Sequence, residues 1–494
     1  MSTGDVPTRE PAGPSPDLDG ARVVVAGLGV SGRAAADVLA ARGARVVPVD
    51  DGGADEAPTS RELLDRDGLA GAVVVVASPG LAPHHPLLAA ARARGVPVWS
   101  EVELAWRLRA ARADGTRAPW LAVTGTNGKT TTVGMLASIL TAAGRRTEAV
   151  GNVGTPVVLA ATDPTLDVLA VELSSFQLHH THTMAAQAAA VLNVAPDHLD
   201  WHGSLEAYAA DKGRIYERVQ VACVYNAADP RTEDLVRAAD VEDGAVAVGF
   251  TLGMPTVGQL GLVEDVLVDR GFARLRHTHA AELGTLDDLR ALAGPSGAVP
   301  PHVVADALAA AALALAHGVE PVAVRDGLRA YVPGAHRITP VATVDGVAYV
   351  DDSKATNAHA AAASLASFGP GSVVWVAGGL AKGARFDDLV ASRHDRLRAA
   401  VLIGADRGPL REALARHAPE VPVVEVDGGE TGTVMTRAVH EAHRLATGPL
   451  GTGGGAGPVT VLLAPASASM DQFVSYADRG EQFAAAARAL ADGA

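Results

Sequence analysis

Lysine is rare in this chain, and its positions are informative for that reason. Lys129, Lys212, Lys354 and Lys382 stand against 37 arginines, so a generic positive charge is supplied by Arg throughout. An amine is a compact point charge that can lose its proton or be modified, and a guanidinium does neither well. Lys129 lies in LAVTGTNGKTTT, where Gly125, Thr126, Asn127, Gly128, Lys129, Thr130 and Thr131 follow an apolar run. Glycines at this spacing let backbone N–H groups wrap a polyphosphate, the lysine neutralises it, and a threonine hydroxyl can ligate Mg2+. The residue five before Gly128 is Val123 and not glycine, so the loop is a shortened variant of the common phosphate-binding pattern. The chemistry indicated is nucleotide-phosphate binding.

Other clusters point the same way with less force. Gly27-Leu28-Gly29-Val30-Ser31-Gly32 follows a strand-like run, and Asp50 closes the next one. That pattern gives a tight turn and a helix N-terminus facing a phosphate. Read alone it suggests a nicotinamide dinucleotide with Asp50 on a ribose, but any diphosphate-containing ligand fits it equally. Glu172 ends the apolar run of VLAVELSSFQL, where it is a Mg2+ ligand, a water-mediated partner or a strand-end cap. In LNVAPDHLDWH the residues Asp197, His198, Asp200 and His202 crowd one loop. His198 and His202 have the spacing of half a zinc site, with no third ligand following at helical spacing. His198 is therefore expected to serve Mg2+ with a nucleotide, and His202 to be structural. Lys212, in YAADKGRIYERV, has the pattern of an ordinary exposed helix lysine, and only lysine scarcity lifts it. Asparagine is also scarce: Asn127, Asn152, Asn193, Asn226 and Asn357. Finally Arg337 in AHR, then Asp352, Lys354, Thr356 and Asn357 in DDSKATN, and Lys382 in GGLAKGARF supply cations and hydroxyls suited to an anionic substrate or a phosphoryl group.

The elements that must position these groups read as α/β throughout. ARVVVAGLG, ARVVPVD and AVVVVASPG alternate with helical stretches, which predicts a parallel sheet covered by helices and closed by a helix over 102–113. WLAVTG, DVLAVEL and AAAVLNV build a second such block, whose far end is an Ala/Leu-rich helix over 303–316. VATVDGVAYVDDS predicts a hairpin, followed by the strands VVWVAGG, AAVLIGA and VTVLLAP in a third block. The expected divisions are a disordered tail over 1–20 and domains over 21–117, 118–334 and 335–494. No ligand is assigned to 245–300, and GTGGGAGP over 451–458 reads as a loop. The 494 residues carry 41 Lys plus Arg against 56 Asp plus Glu, a formal charge of −15. That acidity argues against nucleic acid as a partner. A single cysteine excludes an internal disulfide and a cysteine metal cluster. The apolar runs are too short to span a bilayer. The expectation is a cytoplasmic, monomeric protein without membrane insertion.

In order along the chain, TGTNGKTT, GNVGTP, ELSSFQL, NVAPDHLD, YAADKGRIYE, HR, DDSKATN and LLAPASASMDQF resemble the Mur ligases, from about Ala21 to the C-terminus. GLGVSG, ELSSFQL, DDSKATN and SASMDQF resemble the D-glutamate-adding branch in particular. The resemblance implies three domains: N-terminal Rossmann-like, central P-loop-type with a parallel sheet, and C-terminal Rossmann-like. It implies an ADP-forming ligase that adds D-glutamate to UDP-N-acetylmuramoyl-L-alanine through an acyl phosphate, with ATP and Mg2+. On this basis Gly29, Val30, Ser31, Asp50, Ser78, Gly80, Asn152 and Ser174 would face the UDP-linked substrate. Residues Gly125 to Thr131, with Arg337 and Asp352, would hold ATP. Thr130, Glu172, His198 and Lys212, the last as a carbamate, would serve Mg2+. Lys354, Thr356, Lys382, Ser469 and Tyr476 would surround D-glutamate. Lys129, His198, Lys212 and Arg337 would act in catalysis. With nucleotide and acceptor on different domains, closure is expected. One departure from the family is visible: its usual His-Asn-x-x-Asn run is here His302-Val303-Val304-Ala305-Asp306, without asparagine. Two readings from other classes compete. A dehydrogenase built on Gly27 to Asp50 leaves the Lys129 loop unexplained. A nucleotide-driven switch or motor would hydrolyse ATP without any acceptor.

Overall fold

The computed structural model describes residues 17–54, 57–294, 297–334, 336–427, 433–448 and 458–492. The expected N-terminal tail up to residue 16, and the expected Gly-rich loop up to residue 457, lie outside the described residues. Three sheets organise the chain, each where the sequence alternates Val-rich runs with Ala-rich ones. The first has four parallel strands in the order Arg45–Val49, Arg22–Ala26, Ala72–Ala77, Val98–Ser100. The second has nine. From one edge its order is Thr147–Gly151, Val168–Glu172, Trp120–Thr124, Ala188–Val191, Ala222–Asn226, Val246–Phe250 and Gln259–Val263, all parallel. Val266–Asp269 and Ala281–Thr285 complete it as an antiparallel edge. Its interior strand Trp120–Thr124 is buried throughout, as strands covered by helices on both faces must be. The strands between Val246 and Thr285 thus extend this sheet. The third sheet runs Thr339–Val344, Val347–Asp351, Thr460–Leu463, Val373–Gly378, Leu397–Ile403, Val423–Glu425, with only the first pair antiparallel.

These residues divide into two compact units: Met1–Asp288 with Val304–Tyr331, and Leu289–Val303 with Val332–Ala494. In the first unit the first two sheets share one apolar core that runs from Leu18 to Cys223. The helix Glu101–Leu108 seals that junction. Its Ser100 cap accepts the Glu103 N–H, while the buried Glu103 carboxylate accepts the backbone N–H groups of His182 and Thr183 at 2.8 and 2.9 Å. Glu101 Oε1 accepts the Val158 N–H at 2.8 Å. The helix stops at Leu108, short of the expected 113. Arg109 turns extended, lays its guanidinium over the Trp106 ring at 3.2 Å and donates Nε to the Trp106 carbonyl, which draws the chain off the helical path. The helix Pro301–Ala316 starts two residues before its expected position, with proline in its first turn. Ala307 to Ala314 are each fully buried, as expected for a helix apolar on all sides. Among the described residues, no helix is long and apolar enough to cross a membrane.

Candidate active site

In each sheet the residues singled out from the sequence lie beyond the C-terminal ends of parallel strands, where ligands of open α/β sheets collect. At the first sheet, Gly27, Gly29, Asp50, Ser60, Ser78 and Gly80 help line a cavity of ≈ 250 Å³. Val30 and Ser31 start the helix Val30–Ala41 beside it and are not among the lining residues. Gly32 is required by packing, since a Cβ there would lie 1.8 Å from the Gly27 carbonyl oxygen. The Asp50 carboxylate accepts three backbone N–H groups, from Leu28 at 2.7 Å, Gly52 at 2.8 Å and Ala54 at 3.2 Å. The Leu28 N–H foremost holds it below the usual carboxylate range. Asp50 therefore fixes the glycine turn as well as facing the cavity.

At the second sheet the shortened phosphate loop joins the strand Trp120–Thr124 to the helix Lys129–Ala142. Gly128 caps that helix with φ +87°, a left-handed conformation that favours glycine. Asn193 clamps the loop from the neighbouring strand end: its Oδ1 accepts the Asn127 N–H at 2.9 Å, and its Nδ2 donates to the Asn127 carbonyl at 3.1 Å. Lys129 Nζ donates to the carbonyls of Gly125 at 2.8 Å and Thr126 at 3.0 Å. Lys212 Nζ donates to the same Gly125 carbonyl at 2.9 Å. Lys212 is 1% exposed, against the surface pattern of its helix and in keeping with the lysine scarcity that singled it out. The helix Leu205–Gly213 turns Tyr208, Asp211 and Lys212 inward, against the usual sorting of charged residues to solvent. Burial, and behind it the Lys129 ammonium, holds the Lys212 amine well below its ordinary pKa. Tyr208 lies under it, with the amine 4.4 Å from the ring centroid.

Glu172, 1% exposed, ends the adjacent strand. Its Oε1 accepts from Asn152 Nδ2 at 2.8 Å, and its Oε2 is buried with no hydrogen-bond partner. A buried carboxylate oxygen without a partner is costly and fits an incoming cation. Asn152, expected at the UDP-linked substrate, is thus tied to Glu172. Ser174 caps the helix Ser175–His179, reciprocally with Gln177. His198 sits at φ +52°, its ring edge-on to Phe176 at 4.8 Å. Among the described residues, no group of three or more His, Cys, Asp or Glu side chains could hold a metal on its own. Asp306 is buried against the phosphate loop, its Oδ1 2.3 Å from where a Cβ on Gly128 would lie. The residue at the family's second asparagine position thus meets the loop itself.

The second unit holds the remaining residues. The strands ending at Asp351, Leu463 and Gly378 are neighbours, and their loops carry Lys354 and Thr356, Ser469 and Tyr476, and Lys382. Leu380 and Ala468 pair as an isolated bridge, which sets the Lys382 loop beside the Ser469 loop. Lys354 Nζ lies 5.4 Å from the Tyr476 ring centroid. Ser469 is buried, while Tyr476 and Lys382 are exposed. Burial raises the Asp352 carboxyl to about 6, partly offset by the Arg337 charge. Arg337 also helps to lower half-buried His302 to about 4, though desolvation is the larger cause. Motif reading passed over Asn193, Asp211 and Arg479. Only the scarcity of asparagine hinted at the first, and no local signal marks the other two.

Comparison with known proteins gives the family. The Mur ligase middle domain matches residues 123–255. The chain is 58% identical over 487 residues to a UDP-N-acetylmuramoylalanine–D-glutamate ligase of Streptomyces coelicolor, covering 96% of this chain and 99% of that protein. It is 59% identical over 483 residues to the protein of the same name from Streptomyces avermitilis, covering 95% and 98%. A pseudomurein peptide ligase type C from Methanothermus fervidus shares the fold, with a TM-score of 0.55 at 17% identity over 96% of this chain and 99% of that one. Matched along nearly its whole length at this identity, the chain belongs to the Mur ligase family, in the branch of the UDP-N-acetylmuramoylalanine–D-glutamate ligases.

Proposed function

We propose that this chain is an ADP-forming amide ligase that joins D-glutamate to UDP-N-acetylmuramoyl-L-alanine for peptidoglycan synthesis. Its three segments, 21–117, 118–334 and 335–494, would take the UDP-linked substrate, ATP and the amino acid in turn. The observation that carries the reading is the meeting of Lys129 and Lys212 at the Gly125 carbonyl. A phosphate loop alone would serve a switch or a motor equally well. A second lysine, buried beside the first and with its amine held well below its ordinary pKa by that burial, suits a different use. Neutral Nζ can add CO2 by forming an N–C bond and losing one proton to solvent, which turns a costly buried cation into a carboxylate.

That carboxylate, Glu172 and the Thr130 hydroxyl are hard oxygen donors of the kind Mg2+ takes together with substrate phosphates and water. His198 stands in the adjoining loop as a further polar group. Bound Mg2+ would supply charge neutralisation at the phosphate oxygens. The protein groups do the rest. Glycine-loop N–H groups and Lys129 hold the phosphates, and Lys129 and Arg337 stabilise charge on the phosphoryl group in transfer. The L-alanine carboxylate attacks the γ-phosphorus and ADP leaves. The D-glutamate amine then attacks the acyl phosphate, and the tetrahedral intermediate loses a proton and expels phosphate to give the amide. Lys354, Thr356, Lys382, Ser469 and Tyr476 would orient D-glutamate for that attack.

The test is phosphate release from ATP with UDP-N-acetylmuramoyl-L-alanine and, in turn, D-glutamate, L-glutamate, L-alanine and no amino acid. Release with D-glutamate alone, with a product heavier by one glutamyl unit, is expected. Release with no acceptor would favour a switch, and release with another amino acid would move the enzyme elsewhere in the family.

A further inference from the structure

One buried polar chain has no part in the chemistry above. The Asp211 carboxylate, 6% exposed, lies with both oxygens 2.9 Å from His179 Nδ1 and with Oδ2 2.9 Å from His202 Nδ1. His202, whose side chain is fully buried, passes the chain on through Nε2, 3.0 Å from Ser175 Oγ. Arg214 Nε stands 3.7 Å from Asp211 Oδ1, and Arg214 Nη1 donates to the His179 carbonyl. Burial pushes the Asp211 carboxyl up, and the hydrogen bonds from His179 and His202 together outweigh it. An ionised carboxylate only accepts, so both imidazoles present Nδ1–H to it. The chain thus ties the helix Leu205–Gly213 to both ends of the helix Ser175–His179, which begins three residues after Glu172.

Consecutive residues on a helix point about 100° apart. Asp211 meets His179 and His202, while Lys212 reaches the Gly125 carbonyl. Two buried, bonded neighbours fix the roll of that helix, because a rotation that frees one displaces the other. With Cα atoms about 2.3 Å from the helix axis, a roll of roughly 25° shifts them by about 1 Å. In a catalytic constellation a misplacement of about 1 Å costs on the order of 100-fold.

We propose that Asp211, with His202 as its bridge to Ser175, is a positioning residue for Lys212: it sets the roll of that helix and couples it to the strand end carrying Glu172. The inference rests on the reading of Lys212 as the carbamylated lysine. The test uses the full-length protein with 13C-bicarbonate, following the lysine carbamate by NMR alongside kcat and the KM for ATP. Wild type is compared with Asp211→Asn, His202→Gln and the double variant. Each single variant should need about tenfold more bicarbonate for half-occupancy and lose about 10- to 100-fold in kcat, with KM for ATP moving less than about threefold. The double variant should match the worse single one, because both act on one coupled unit. If Asp211→Asn does not fold, His202→Gln, which leaves Asp211 paired with His179, carries the same expectation. Wild-type occupancy and kcat in the folded variants would overturn the inference. So would a fall in thermal midpoint and ATP affinity with carbamate occupancy unchanged, which would make the chain merely structural. Product formation by a wild-type protein with no carbamate signal would instead remove the Lys212 reading beneath it.

Discussion

Glu101 offers a quantitative test of how the first unit is held together. Its carboxyl is 1% exposed, accepts the Val158 N–H through Oε1 at 2.8 Å and leaves Oε2 buried without a partner. Burial, partly offset by the backbone N–H groups of Val158 and Val157, raises it from 4.5 to about 7. Between those two values the folded chain keeps a proton that the unfolded chain has released. The sign follows: this contribution is fully present below the unfolded value and is lost as pH rises through the folded one. At about 1.4 kcal/mol per pH unit, the loss above pH 7 is about 3 kcal/mol. Glu101→Gln carries no charge at any pH and keeps an oxygen for the Val158 N–H. It should come close to wild type near pH 4 and exceed it by about 3 kcal/mol at pH 8. Urea unfolding at a series of pH values, followed by tryptophan emission, reads this directly. Trp99, Trp106, Trp120 and Trp201 all lie in the same unit as Glu101. A difference between the two proteins that is constant from pH 4 to pH 8 would refute the argument, whatever its size.

Three further outcomes are expected. Lys212→Arg places a second cation that cannot shed its proton at the Gly125 carbonyl and should cost about 10²- to 10³-fold in turnover; Lys212→Ala should instead be partly rescued by short carboxylic acids, and failure of every acid tried would count against a carbamate. Gly128→Ala forces a Cβ onto a φ of +87° and to 2.3 Å from Asp306 Oδ1. The left-handed φ alone should cost about 1–2 kcal/mol of stability. ATP affinity measured by calorimetry should also fall, and Gly128→Ala with Asp306→Ala should recover part of it. Asp50→Ala releases the backbone N–H groups of Leu28, Gly52 and Ala54 and should raise the KM for the UDP-linked substrate about tenfold with little change in kcat, the signature of lost uniform binding.

What the sequence reveals is local. The phosphate loop is legible because an apolar strand, spaced glycines and a helix follow one another within fifteen residues, and each constrains the next. The three sheets are legible for the same reason, since Val-rich runs alternate with Ala-rich ones. The surroundings of Lys212 are not. On the helix Leu205–Gly213 the buried residues are Tyr208, Asp211 and Lys212, so the polar pattern points the wrong side of the helix towards solvent. The partners that make this tolerable, His179 and His202, lie 32 and 9 residues away, and no local periodicity relates them to Asp211. The same holds for Glu103, fully buried on a helix of modest apolar content because backbone N–H groups from Thr183 and His182, some 80 residues on, converge on it.

Two buried cations show why a chain so rich in arginine keeps lysine where it does. Arg479 is fully buried; its Nε donates to Ser353 Oγ at 3.0 Å, and its terminal nitrogens donate to the carbonyls of Ser353 at 2.9 Å and Ser467 at 3.1 Å. Burial lowers it only to about 10, so it stays charged at neutral pH. A planar fork of donors can span two loops in this way, and here those loops carry Lys354 and Ser469. An amine could not reach all three acceptors at once. Lys212 meets a single carbonyl and lies beside a second cation, and its pKa is driven well below its ordinary value. Arginine serves where several acceptors must be held by a charge that persists. At Lys212 an amine can shed the charge that burial opposes, which a guanidinium cannot, so Lys212→Arg or Arg479→Lys would put the wrong protonation behaviour into a buried site.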